Sequence, residues 1–113
     1  MIEKFVICVG NNSRNTDELT TEYARSKSSV NRGLVTDEKT LITEPGVYHT
    51  SFSDVNNVTD FLSLLKKFDA IVFFQQSKDS YADPYEYVQT SFCVRIASKK
   101  YKIPVETIDA EKA

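Results

Sequence analysis

At 113 residues the chain is the size of one domain, and two halves would each be too small to stabilise easily. Hydrophobic residues at 41% and charged residues at 27% are ordinary globular values and argue against disorder. A formal net charge of −2 gives no concentrated basic surface of the kind that holds DNA or RNA, so no nucleic-acid partner is expected.

The lead Met1-Ile2-Glu3-Lys4 runs straight into Phe5 to Val9, an unbroken apolar stretch closed by Gly10. That is the pattern of a central strand buried on both faces. It is too short for the apolar region of a signal peptide, and no window approaches a membrane span, so a cytoplasmic protein without a membrane partner is expected. Gly10-Asn11-Asn12-Ser13-Arg14 then reads as a polar turn into a first helix. Asn15 is the expected N-cap, with Glu18 three residues on, and Gly33 is the expected C-terminal stop. The apolar face of this helix is thin: Leu19, Tyr23 and Ala24.

Residues 34–46 offer only the short pairs Leu34-Val35 and Leu41-Ile42, which fit a hairpin or an irregular excursion equally. Pro45-Gly46 marks a turn, and Val47 to Phe52 alternates as a strand carrying His49, the only histidine. A second helix starts at Asn57 with Asp60 to complete its cap, and Val58, Phe61, Leu62, Leu65 and Phe68 form its apolar stripe. Lys66-Lys67 at its end complement the helix dipole, as do Lys99, Lys100 and Lys102 after the next helix. Ala70 to Phe74 is a second fully apolar strand. The third helix has the clearest start, with Asp83 as N-cap, Pro84 at N1 and Glu86 at N3. Tyr85, Val88, Phe92, Ile96 and Cys93 are its expected core stripe. Ile103-Pro104-Val105 suggests a last strand, placed at an edge by Pro104.

The succession β-α-(β)-β-α-β-α-β predicts a single three-layer α/β domain over residues 1–113. Its sheet is mostly parallel, of four to five strands with helices on both faces, flavodoxin-like or Rossmann-like. Cys8 and Cys93 each lie in apolar surroundings and are expected as buried reduced thiols, with a disulfide between them as the alternative. One histidine and no CxxC pair cannot complete a zinc set, so no metal site is expected, and no cofactor is indicated.

In an open parallel sheet, ligands bind outside the carboxyl ends of the strands. The loops there are Gly10 to Asn15, His49 to Ser53 and Gln75 to Asp83. In the first, Asn11, Asn12, Ser13 and Arg14 precede a helix N-terminus, whose free N–H groups favour an anion that Arg14 could grip. No second glycine is present, so neither a dinucleotide fingerprint nor a Walker A loop is formed, and plain turn and cap bonding is the competing reading. His49 is the natural acid or base, with Thr50 beside it; Ser13 or Ser51 would be the nucleophile and Asp54 an orienting carboxylate. The bland alternative is a structural histidine. Gln75 and Gln76 suit recognition of a base or sugar, or else a solvated loop. Tyr81, Tyr85, Tyr87 and Phe92 form an aromatic group that reads as a stacking surface, a protein interface or plain packing.

Several of these stretches carry a resemblance: Val9-Gly10-Asn11-Asn12 with Thr16-Asp17, Gly46 to Ser51 with Asp54, Phe68-Asp69, Gln75, and Tyr81 to Tyr87. Over most of its length the chain resembles a group of uncharacterised proteins, or N-terminal domains of proteins, in tailed phages of marine bacteria. The group has no established activity, so the resemblance implies an origin, a setting in the cytoplasm of an infected host cell, and a segment of a longer polypeptide. It raises Thr16, His49 and Gln75 among the residues of interest. A proline often follows the glutamine of the loop after the second apolar strand in that group, where this chain has Gln76.

Three functions follow as expectations. The first is a domain binding a small anionic or nucleotide-like ligand, with Arg14 and the N–H groups near Asn12 on the anion and His49, Gln75 and Gln76 on its polar edge. The second is an interaction or accessory module without a ligand, self-associating through the third helix. The third is a hydrolase using Ser13 and His49, which requires the two side chains to approach within about 3 Å.

Overall fold

The computed structural model describes residues 3–110. Its five strands are β1 (Phe5–Val9), β2 (Asn31–Leu34), β3 (Gly46–Thr50), β4 (Ala70–Gln75) and β5 (Val105–Asp109). All pair in parallel, in the order β2-β3-β1-β4-β5. β1 lies at the centre, as an apolar run with no polar alternation requires. β5 lies at an edge and begins just after Pro104, whose missing N–H would have broken a ladder. The strand order differs from both common doubly wound arrangements in placing β2 outside β3.

The helices are α1 (Arg14–Ser26), α2 (Phe52–Val55), α3 (Val58–Leu65) and α4 (Pro84–Lys99). Strand alternation sorts the core into two layers. Val6, Cys8, Val47, Val72 and Phe74 point to one face, where Ala24 of α1 covers them with Leu19 and Tyr23. Ile7, Val9, Tyr48 and Ile71 point to the other, under Phe52, Phe61, Leu64 and Leu65 and, from α4, Cys93, Val94 and Ala97. One helix on one face and three on the other make the three layers expected from the sequence. The sheet stands between Cys8 and Cys93, and both are free buried thiols. Burial pushes the Cys8 thiol up to about 12 and that of Cys93 up to about 11, so both stay protonated and unreactive at neutral pH.

Local signals differ in how they fare. Asn57 Oδ1 accepts from the Asp60 N–H at 3.0 Å, and Asp83 Oδ1 from the Tyr85 N–H at 2.9 Å, so α3 and α4 start where their caps predict. The first helix is not capped by Asn15: α1 begins at Arg14 with Ser13 as N-cap, and the Ser13 hydroxyl donates to Asn11 Oδ1 and makes no cap bond. It does not end at Gly33 either. Lys27 closes it and Ser28 takes a left-handed conformation, while Gly33 (φ +115°) lies in an irregular stretch of β2 that shifts register between Asn31 and Leu34. Residues 35–45 are an irregular excursion, not a hairpin. Val35 extends the pairing by donating its N–H to His49 O at 2.8 Å, and the Tyr48 hydroxyl reaches back to Glu44 O at 2.6 Å.

The expected core stripe of the third predicted helix holds at Cys93 and is corrected at Tyr85, Val88 and Phe92. The buried residues of α4 are Glu86, Thr90, Cys93, Val94 and Ala97, while Tyr85, Val88 and Phe92 are exposed. Both faces carry helical spacing, and volume decides between them. Small side chains let α4 lie close to the sheet and α3, where three large ones would overpack. Thr90 is tolerated there because its hydroxyl donates to Glu86 O at 2.7 Å.

Candidate functional site

The connection leaving β1 runs through α1 on one face, whereas those leaving its neighbours β3 and β4 run through α2 and α4 on the other. Connections that part to opposite faces leave a gap between adjacent strand ends. The carboxyl end of β1 is therefore flanked by two gaps, one towards β4 and one towards β3.

The gap towards β4 is filled from within. Gln76 reaches over from the end of β4, its Oε1 accepting the Asn11 N–H at 2.8 Å and its Nε2 donating to Asn11 Oδ1 and Thr16 Oγ1, both at 3.2 Å. Asn11 Oδ1 also accepts from Thr16 Oγ1 at 2.7 Å and from the Ser13 hydroxyl, and its Nδ2 donates to Ser80 O at 3.0 Å. Gly10 is required here by close approach: a Cβ would lie 2.6 Å from Thr16 Oγ1 and 3.0 Å from Gln76 Oε1. Asn11 and Gln76 are thus buried and spent on each other, a lock between two loops.

The gap towards β3 stays open as a crevice of about 410 Å³. The loop into α1 supplies Asn11, Asn12 and Ser13, and the first turns of α1 supply Thr16 and Asp17. Gly33 and Leu34 come from β2, His49, Thr50 and Ser51 from β3 and its exit, and Asp54 from α2. Alternation along β3 turns His49 to the same face as Val47, the face of α1, which brings it to Asp17.

The ring of His49 is fixed in orientation. Asn31 Nδ2 donates to Asp17 Oδ1 at 2.9 Å and to Thr21 Oγ1 at 3.2 Å, so Asn31 Oδ1 faces the Gly33 N–H at 2.9 Å and His49 Nδ1 at 3.2 Å. An amide oxygen only accepts, so Nδ1 carries the proton and Nε2 the lone pair of the neutral ring. Burial holds the His49 pKa below its ordinary 6.5, with Asp17 and Asp54 pulling weakly the other way. His49 is therefore neutral at pH 7. Its Nε2 lies 3.7 Å from Asp17 Oδ1, beyond hydrogen-bond length, and the contact becomes an ion pair only on protonation. Opposite, the Ser51 hydroxyl donates to Asp54 Oδ2 at 2.6 Å.

Of the residues singled out from sequence, Asn11, Asn12, Ser13, Thr16, His49, Thr50, Ser51 and Asp54 line this crevice. Thr50 spends its hydroxyl on Val35 O at 2.7 Å. Gln75 and Gln76 lie outside it, and so does Arg14, whose side chain is 90% exposed and pairs with Glu18 at 3.3 Å. Ser13 and His49 share the crevice, but no hydrogen bond joins them: the Ser13 proton goes to Asn11 and the ring nitrogens face Asn31 and Asp17. Sequence reasoning did not assign Asp17 or Asn31 a site role. Asp17 sits three residues after the turn on α1, a spacing that aims it at the strand ends. Asn31 had no such signal, since only the pairing of β2 beside β3 brings it to His49.

Among the described residues, no group of three His, Cys, Asp or Glu is placed to hold a metal ion, and no helix is long and apolar enough to cross a membrane. Comparisons of the chain with protein-family models, with curated proteins and with solved structures return no match.

Proposed function

We propose that the protein is a small-ligand-binding α/β domain whose ligand is nucleoside- or nucleotide-like and presents hydroxyl or amino donors to the crevice between β1 and β3. One observation carries this reading. The crevice walls hold acceptors, namely Asp17, Asp54 and the lone pair of His49 Nε2, and no Lys or Arg. Such a surface favours a donor-rich neutral ligand, whereas a bare anion would meet two carboxylates with no side-chain cation to offset them. A crevice of this size falls in the range of small-molecule sites, and its place at the strand ends is where parallel sheets bind ligands. Any phosphate belongs at the first turn of α1, whose N–H groups receive no side-chain cap. The Ser13 and His49 hydrolase reading gains no support from this arrangement.

The test is a titration with adenosine, cytidine, ribose and inorganic phosphate, followed by thermal shift and by amide NMR. A nucleoside is expected to raise the Tm and to move the signals of His49 and Asp54, while phosphate alone does neither. Asp54→Asn is expected to weaken nucleoside binding by about tenfold, or about 1.4 kcal/mol. Silence towards every nucleoside and sugar, or a response to phosphate alone, overturns the reading.

A further inference from the structure

Two acceptors face one another in the crevice with no proton between them. Asn31 Oδ1 holds the Nδ1 proton of His49, so Nε2 presents its lone pair, and it lies 3.7 Å from Asp17 Oδ1, itself an acceptor. Asp17 Oδ1 already accepts from Asn31 Nδ2 at 2.9 Å, and a carboxylate oxygen keeps a second lone pair for another donor. His49 is more than nine-tenths buried, with 7% exposure. Every fully buried side-chain nitrogen and oxygen among the described residues has a hydrogen-bond partner, so Nε2, which has none, opens to the crevice. On the opposite wall the Ser51 hydroxyl already donates to Asp54 Oδ2 at 2.6 Å. The pair formed by Asp17 and His49 is therefore the part of the crevice that calls for donors from a ligand.

We propose that His49 Nε2 and Asp17 Oδ1 together take the two hydroxyls of a cis-diol, so that the protein reads the ribose of its ligand and prefers ribonucleosides to deoxyribonucleosides. The inference rests on the nucleoside reading above and names the part of the ligand that these two residues hold. Spacing selects the diol. A single donor atom at hydrogen-bond length from both acceptors would see them about 80° apart, too narrow for the N–H bonds of one amino group to point at both. The exocyclic amine of adenine or cytosine is therefore a poor match. The two oxygens of a cis-diol stand about 2.8 Å apart, one O–H···O hydrogen-bond length, so two nearly parallel bonds reach acceptors 3.7 Å apart. Each hydroxyl also rotates to aim its proton. Guanine offers two N–H groups on adjacent atoms as well, but at the spacing of the two oxygens of one carboxylate, closer than Asp17 Oδ1 and His49 Nε2 stand. One hydroxyl thus meets a charged oxygen and the other a neutral nitrogen, whose lone pair is free because the His49 ring is neutral at pH 7.

The experiment is a titration of the native chain, followed by amide NMR near neutral pH, with adenosine, 2′-deoxyadenosine, 3′-deoxyadenosine, guanosine, 2′-deoxyguanosine and methyl ribofuranoside. Adenosine is expected to bind about tenfold more tightly than either deoxy analogue, and methyl ribofuranoside to move the signals of Asp17 and His49 without a base attached. Asp17→Ala is expected to weaken adenosine by about tenfold and to bind one of the two deoxyadenosines as well as it binds adenosine, because the hydroxyl that analogue lacks has lost its acceptor. Equal binding of adenosine and both deoxyadenosines overturns the diol and leaves the nucleoside reading standing. Guanosine and 2′-deoxyguanosine binding equally while adenosine does not bind has the same consequence. Methyl ribofuranoside binding as tightly as any nucleoside keeps the diol and removes the base from the reading. Silence towards all six overturns both.

Discussion

The two gaps beside β1 are built from the same kinds of residue, and they end up doing opposite things. Towards β4, amides and hydroxyls are buried and every one is answered by the chain itself: Gln76 bridges Asn11 and Thr16 with both ends of its amide. Towards β3, Asn31 joins Asp17 to His49 on one wall and Ser51 bonds Asp54 on the other, yet the space between them is left open. A side chain long enough to span the gap makes the difference. Gln76 reaches across from β4, while the side chains at the end of β3 are a threonine and a serine, too short to close it. Polar residues at strand ends are thus structural where one of them completes the set and available to a ligand where none does.

The comparison breaks most visibly on the locked side. Gln76→Ala leaves the Asn11 N–H buried without its acceptor and opens a void the size of the lost amide. It is expected to cost about 2–4 kcal/mol and to lower the Tm by on the order of 10 °C, read by calorimetry. If the Tm holds, the lock is not structural and the contrast with the open gap fails.

On the open side the expected effect is one of pH. The folded pKa of His49 lies below its unfolded value, so acid is taken up more readily by the unfolded chain and stability falls as the pH drops through and below 6.5. His49→Gln, which keeps a polar side chain but does not titrate, is expected to flatten that part of the Tm-against-pH curve while leaving the Tm at pH 8 within a few degrees. An unchanged slope would show that His49 does not titrate in this range or does so equally in both states. The smallest effect is expected at Arg14, which sits beside the crevice mouth but outside it. Its exposed pair with Glu18 is worth at most about 0.5 kcal/mol. Arg14→Ala should change neither the Tm nor nucleoside affinity measurably, and a clear loss of affinity would show that Arg14 itself holds the ligand.

The contrast also separates what was legible in the residues from what was not. Caps at Asn57 and Asp83, the two apolar strands and the position of Gly10 all follow from short-range rules, and each is found where those rules put it. Asn11, Asn12, Ser13, Thr16, His49 and Thr50 could be brought to one region because strand ends in parallel sheets share an edge. Telling Asn11 from Asn12, or Gln76 from Gln75, was beyond the same rules: adjacent residues on a strand end point to opposite faces, and only the register of β4 beside β1 decides which amide turns inward.

The sequence by itself determined the class of this protein, a parallel sheet between helical layers with its chemistry at one edge. Hydrophobic periodicity and capping act over a few residues and need no knowledge of the partner element. Tertiary structure alone decided which face of α4 is buried, that Gly33 serves a strand irregularity and not a helix end, and that Asn31 and Asp17 orient His49. Those outcomes turn on volume between packed elements and on pairings between residues distant in the chain. No local pattern encodes them, because each depends on what stands on the other side of the contact.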